Sequence, residues 1–144
     1  MIVAYGNALD STKLLTEVCP IGKITLLVRE DGKSTFDSRV ICRYLNDRAS
    51  AGLYPDARYW DVATLEALGD GMSDSAVLMV YEGRTRPPEM QYAPWVEGQW
   101  AKVARALDAL EDQWMDLLDA PLNAGKIAVG CALGYLDFRH GDRQ

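Results

Sequence analysis

The chain has 144 residues, 49% of them hydrophobic and 25% charged, which suits one core or two small parts that share one. Its 15 basic and 21 acidic residues leave a net charge of −6, which excludes the broad basic face that nucleic-acid phosphates need. No stretch is long and apolar enough to span a membrane, and "MIVAYGNALD" lacks the basic start and apolar run of a secretion signal, so a cytoplasmic protein with reduced thiols is expected.

The first 36 residues carry β-like patterns. "MIVAY" reads as a strand, and "NALDSTKLLTEV" as a polar connection with a short helix. "ITLLVRE" and "KSTF" flank Asp31-Gly32, a hairpin turn signal. Gly32-Lys33-Ser34 is not a phosphate loop, because Leu27 stands where that motif needs its upstream glycine. At Phe36-Asp37-Ser38 the pattern changes to helix, with Ile41, Tyr44 and Leu45 on one face. An acid and a hydroxyl at that junction suit a helix cap, and they equally suit half of an anion-binding site.

The linker "NDRASAGLYPDA" leads to a long helix over about 58–81 with Val62, Leu65, Met72, Ala76 and Met79 on one stripe. After "EGRTRPPEMQYAP", Val96, Trp100, Val103, Leu107, Leu110, Trp114 and Leu117 recur at spacings of three and four, predicting one continuous amphipathic helix. Pro94 suits its first turn. Asn123 then caps a last helix with no charge between Ile127 and Leu136, so it is expected to be enclosed on every side. Gly130 and Gly134 in it are expected to admit a neighbouring helix closely. Cys42 and Cys131 lie within apolar helical patterns and read as buried thiols, and the cysteines show no C-x-x-C spacing. His140, the one histidine, falls in the terminal tail and reads as a solvated residue.

Three stretches in this order resemble the glutathione S-transferase family of the bacterial kind. "VCPIGKITLLVREDGKSTFDSRVICRYL" is similar to the family's N-P-x-G-K-V-P-x-L segment, hairpin and acid-serine helix start. "ALDALE" resembles part of its fifth helix, and "IAVGCALGYLDFRH" its sixth. The resemblance implies a fold of α+β, mostly α character: a partial thioredoxin-like, glutathione-binding domain over 1–48, then a helical bundle over 56–144.

It also implies a site. Asp37 and Ser38 would hold the γ-glutamyl end of glutathione, with Ser38 and free helix N–H groups on its carboxylate and Asp37 on its ammonium. Ile24 would offer backbone hydrogen bonds to the cysteinyl part. Lys23 would face the glycyl carboxylate, with Arg39 nearby. The implied activity is attack of the glutathione thiolate on a hydrophobic electrophile. Glutathione would be a co-substrate, with no metal or redox cofactor, and a homodimer is the family's usual assembly.

Four departures from the family pattern carry expectations. The family's first strand and helix, whose junction carries the activating Ser, Tyr or Cys, have no counterpart before Lys23, and the family's last helices none after the sixth. Little or no conjugating activity is therefore expected, and no catalytic residue is assigned; neither Cys19 nor Tyr5 occupies the activating position. Thr25 replaces the family's proline, which predicts a trans bond after Ile24. Lys126 stands where the family has an acid in the first turn of the last helix, an unfavourable charge there. The alternatives are a non-catalytic interaction module on the same helical fold and a gene fragment.

Overall fold

A computed structural model of the chain describes residues 16–143. The expected strand at "MIVAY" and most of the connection after it lie outside the described residues. The chain divides into two compact units, Met1–Gly52 and Leu53–Gln144.

In the first unit, β1 (Leu27–Val28) pairs antiparallel with β2 (Ser34–Thr35), with Leu27 opposite Thr35 and Val28 opposite Ser34. The Asp31-Gly32 signal marks the turn between them. Gly32 adopts φ 82°, a left-handed conformation that suits glycine, and the Lys33 N–H donates to Asp31 Oδ1 at 3.1 Å. Helix α1 (Ser38–Ala49) follows and buries Ile41, while Leu45 stays exposed, so its apolar face is narrower than the sequence pattern suggests. The helix ends at Ser50, whose left-handed backbone lets its N–H reach the carbonyls of Asn46 and Asp47.

The second unit is helical: α2 (Tyr59–Thr85), α3 (Ala93–Gln113), α4 (Met115–Asp119) and α5 (Ala124–His140). The stripe Val62, Leu65, Met72, Ala76 and Met79 of α2 is buried as its spacing predicts. Val62, Leu65, Met72 and Ala76 form one core with Val103 and Leu110 of α3, Leu117 of α4, and Val129, Ala132 and Leu136 of α5. The expected continuous third helix is broken at Trp114, which adopts φ −117° and ψ 0°. The chain resumes as α4 and still buries Leu117. Between α2 and α3, the buried Glu82 accepts the Tyr92 N–H at 2.9 Å and pairs with Arg86 at 3.0 Å. A carboxylate thus satisfies an N–H group at the start of α3 that no helix carbonyl can reach.

Two glycines set the approach of α2 and α5. A methyl group on Gly69 would lie 2.7 Å from the backbone carbon of Ala128, and one on Gly125 would lie 2.8 Å from the Leu65 side chain. The expected close-packing pair, Gly130 and Gly134, plays no such part: both are exposed and have no neighbour within 4 Å of a Cβ. The last helix is also not enclosed on every side, since Ile127, Leu133 and Phe138 are exposed. The absence of charge over 127–136 marks small and apolar residues on both faces, and among the described residues one of these faces packs into the core.

Three further expectations change. His140 is buried, and its Nε2 lies 3.0 Å from the Ala76 carbonyl oxygen. A carbonyl can only accept, so Nε2 carries the proton. The helical pattern runs to His140 and turns it inward between Trp100 and Tyr135, where a tail reading would leave it in solvent. Cys42 and Cys131 are exposed and Cys19 is buried, because the apolar pattern around the first two does not fix which helix face each occupies. Asn123 caps α5 as expected, accepting the Lys126 N–H at 3.0 Å. The Lys126 ammonium in turn donates to the Ala120 carbonyl, just past the end of α4, which offsets its unfavourable place in the first turn.

The glycine contacts give a paired prediction. Gly69→Ala should destabilise the chain by about 1–3 kcal/mol, because backbone atoms must yield to the methyl group. Gly71→Ala, two residues along the same helix and with nothing within 4 Å, should be neutral or stabilising by up to about 1 kcal/mol. Equilibrium urea denaturation of the two variants beside the parent chain measures both.

Candidate functional site

The start of α1 is built by Asp37. Its Oδ1 accepts the Arg39 N–H at 3.1 Å, which makes it the N-cap, and Ser38 is the first helical residue. Its Oδ2 lies 3.2 Å from the Arg39 guanidinium. That guanidinium holds the Asp37 carboxyl below its ordinary value, with the backbone N–H groups of Arg39 and Val40 adding smaller contributions. Both side chains are partly exposed, so solvent screens the pair.

Beside this cap lies a cavity of about 480 Å³ lined by Ile21, Phe36, Asp37, Arg39, Val40 and Arg43. Val40 and Arg43 follow Asp37 at helical spacing, and Ile21 and Phe36 add apolar wall. Of the residues expected at a site, the structure brings Asp37 and Arg39 to this cavity. Ser38 is exposed at the same helix start but turned about 100° from Asp37 round the helix, and it does not line the cavity. Lys23 and Ile24 are exposed and do not line it either, and Ile24 keeps 85% of its surface open. Arg43 was not expected. Its position one turn beyond Arg39 is a helical-spacing signal that could have pointed to it.

The Ile24–Thr25 peptide is cis, which corrects the expected trans bond. The trans expectation rests on the preference of an isolated non-proline amide. Trp60 and Tyr81 are exposed on α2 and line neither this cavity nor the smaller one at Arg29, Glu30, Asp31 and Tyr44. Among the described residues no group of three or more His, Cys, Asp or Glu could hold a metal ion. No helix among them is long and apolar enough to cross a membrane.

Comparison with known proteins places this geometry in a family. The profile of the "Glutathione S-transferase, C-terminal domain" matches residues 93–143, from α3 to the end of the helical unit. The uncharacterized GST-like protein YibF of Escherichia coli K12 is 38% identical over 125 residues, 83% of this chain and 61% of that protein. A glutathione transferase family member from Pseudomonas fluorescens Pf-5, solved with bound glutathione, superposes with a TM-score of 0.84 at 40% identity over 89% of this chain and 64% of its own. A glutathione S-transferase from Methylobacillus flagellatus KT, solved with glutathione bound, gives 0.83 at 37% identity over 99% of this chain and 72% of its own. The chain belongs to the glutathione S-transferase family. Its mostly helical fold with a small sheet is that family's architecture. The chain spans less than two thirds of the length of the Escherichia coli and Pseudomonas relatives.

The cap at Asp37 titrates. Its folded pKa is depressed, so its stabilising effect is present above the unfolded carboxylate value of about 4 and is lost as pH falls through the lower folded value. Asp37→Ala should cost about 1 kcal/mol at neutral pH. The gap between variant and parent should close as the medium is taken from about pH 5 to below the ordinary carboxylate range. Denaturation followed by circular dichroism across that range checks the sign.

Proposed function

We propose that this chain binds glutathione at the start of α1. The observation that carries the reading is that relatives 37–40% identical to it were solved with glutathione bound. The chemistry of the helix start supports it. The Ser38 N–H and hydroxyl offer donors to the γ-glutamyl carboxylate, and the Asp37 carboxylate offers an acceptor to the ammonium. Asp37 already serves Arg39, so the incoming ammonium must share or displace that guanidinium. Lys23 and the Ile24 backbone are assigned to the glycyl and cysteinyl parts.

The parent reaction is conjugation. The glutathione thiol loses its proton to solvent or base, its sulfur bonds to an electrophilic carbon of a hydrophobic substrate, and the leaving group departs with the electron pair. Among the described residues, the cavity wall carries no hydroxyl or thiol that would stabilise the thiolate. This chain is therefore read as holding glutathione more than activating it. Conjugation of an aromatic halide by the 144-residue chain is expected to run close to the uncatalysed rate.

Titration calorimetry with glutathione tests the reading. Ser38→Ala should weaken binding by about 1–2 kcal/mol, through loss of one hydrogen bond to a charged group. Because Asp37 is the cap, the same substitution should leave the thermal midpoint nearly unchanged. Cysteinylglycine, which lacks the γ-glutamyl end, should bind far more weakly than glutathione. Equal binding of the two, or no effect of Ser38→Ala, would remove the γ-glutamyl end from this helix start.

A further inference from the structure

Given that glutathione binds at the start of α1, as proposed above, we propose that Arg39 sets the specificity of that site. It holds Asp37 against an incoming ammonium, so the site reads the γ-glutamyl carboxylate and is nearly indifferent to the amine beside it.

One residue occupies both oxygens of the Asp37 carboxylate before any ligand arrives. The Arg39 N–H donates to Oδ1 at 3.1 Å, and the Arg39 guanidinium donates to Oδ2 at 3.2 Å. The first bond is the helix cap, which any residue but proline could complete at this position. The second belongs to the arginine side chain. An ionised carboxylate has further lone pairs, so an ammonium can join Oδ2 without breaking the cap. It then shares that oxygen with a guanidinium. Two cations on one carboxylate repel each other, which leaves little net attraction for the ligand's ammonium.

The helix start acts in the same direction. The N-terminus of α1 carries the positive end of the helix dipole, which favours an anion and disfavours a cation. The first turn of α1 contains no acid, so the ammonium depends on Asp37, which is already engaged. A carboxylate on the Ser38 N–H and hydroxyl gains from the dipole, whereas the ammonium on the same ligand carbon is opposed by it. The Arg39 and Asp37 side chains are 50% and 43% exposed, so water reduces the effect to that of a surface ion pair. The ligand class that follows is an acylated cysteinylglycine with a carboxylate at γ-glutamyl length, with or without its amine.

Calorimetric titration of the 144-residue chain with glutathione and with glutaryl-cysteinylglycine, which is glutathione without the amine, tests this. The parent chain should bind the two within about twofold of each other. Arg39→Ala leaves the cap in place, because the cap uses the backbone N–H. It should raise the preference for glutathione by about two- to fivefold, the range of an exposed ion pair. Arg39→Lys keeps the charge and should stay near the parent ratio. A parent chain that already prefers glutathione by about fivefold or more overturns the proposal. So does a ratio unmoved by Arg39→Ala, or one moved equally by Arg39→Lys. Those results leave glutathione binding itself in place. Equal binding of cysteinylglycine and glutathione instead overturns the reading of the site, and this proposal with it.

Discussion

The helical unit depends on how closely α2 and α5 approach. Gly69 and Gly125 leave no room for even a methyl group, and that contact lets Val62, Leu65, Met72 and Ala76 meet Val129, Ala132 and Leu136 without a void. Both ends of α5 are tied by polar groups: the buried His140 reaches the Ala76 carbonyl of α2, and Asn123 caps α5 while donating to the carbonyls of Leu117 and Pro121. Each tie satisfies a group that burial would otherwise leave without a partner. α3 closes the core with Val103, Ala106 and Leu110.

The first unit is organised differently, around a charge. Asp37 ends the extended segment, caps α1 and holds Arg39, so one carboxylate serves the backbone and a side chain at once. Such a residue cannot be read as structural or functional alone. Removing it takes a cap from the helix and, in the proposed function, a partner from the ligand. Ser38 separates the two roles, since it stands at the same helix start without capping it.

Much of this was legible in the residues. The 3.6-residue period places the buried stripe of α2 and, in α3, Val103 and Leu110, because burial on one side of a helix leaves a periodic trace. The buried Gln99 and Ala106 of α3 lie outside the expected stripe. The turn at Asp31-Gly32 and the caps at Asp37 and Asn123 are local chemistry and were equally readable. What failed depended on which neighbour lies across a helix. The sequence of α5 shows three glycines and cannot say that Gly125 is packed against Leu65 while Gly130 and Gly134 face outward. The same blindness reversed the burial of the cysteines and of His140. The isomer at Ile24–Thr25 runs against the local preference on which the trans expectation rested. At the site, Asp37 and Arg39 were legible from the helix start, whereas Arg43 enters through the shape of the cavity.

The central claim is that the helical unit is a scaffold held by the contact of α2 and α5, and that ligand recognition belongs to the start of α1. Hydrogen exchange with and without saturating glutathione tests it most directly. The account predicts that amides of α2 and α5 around Gly69 and Gly125 are the slowest to exchange and are unchanged by glutathione. Added protection should fall on the first-turn amides of α1, beginning with Ser38. Protection gained mainly within the helical unit, with none at the start of α1, would contradict it.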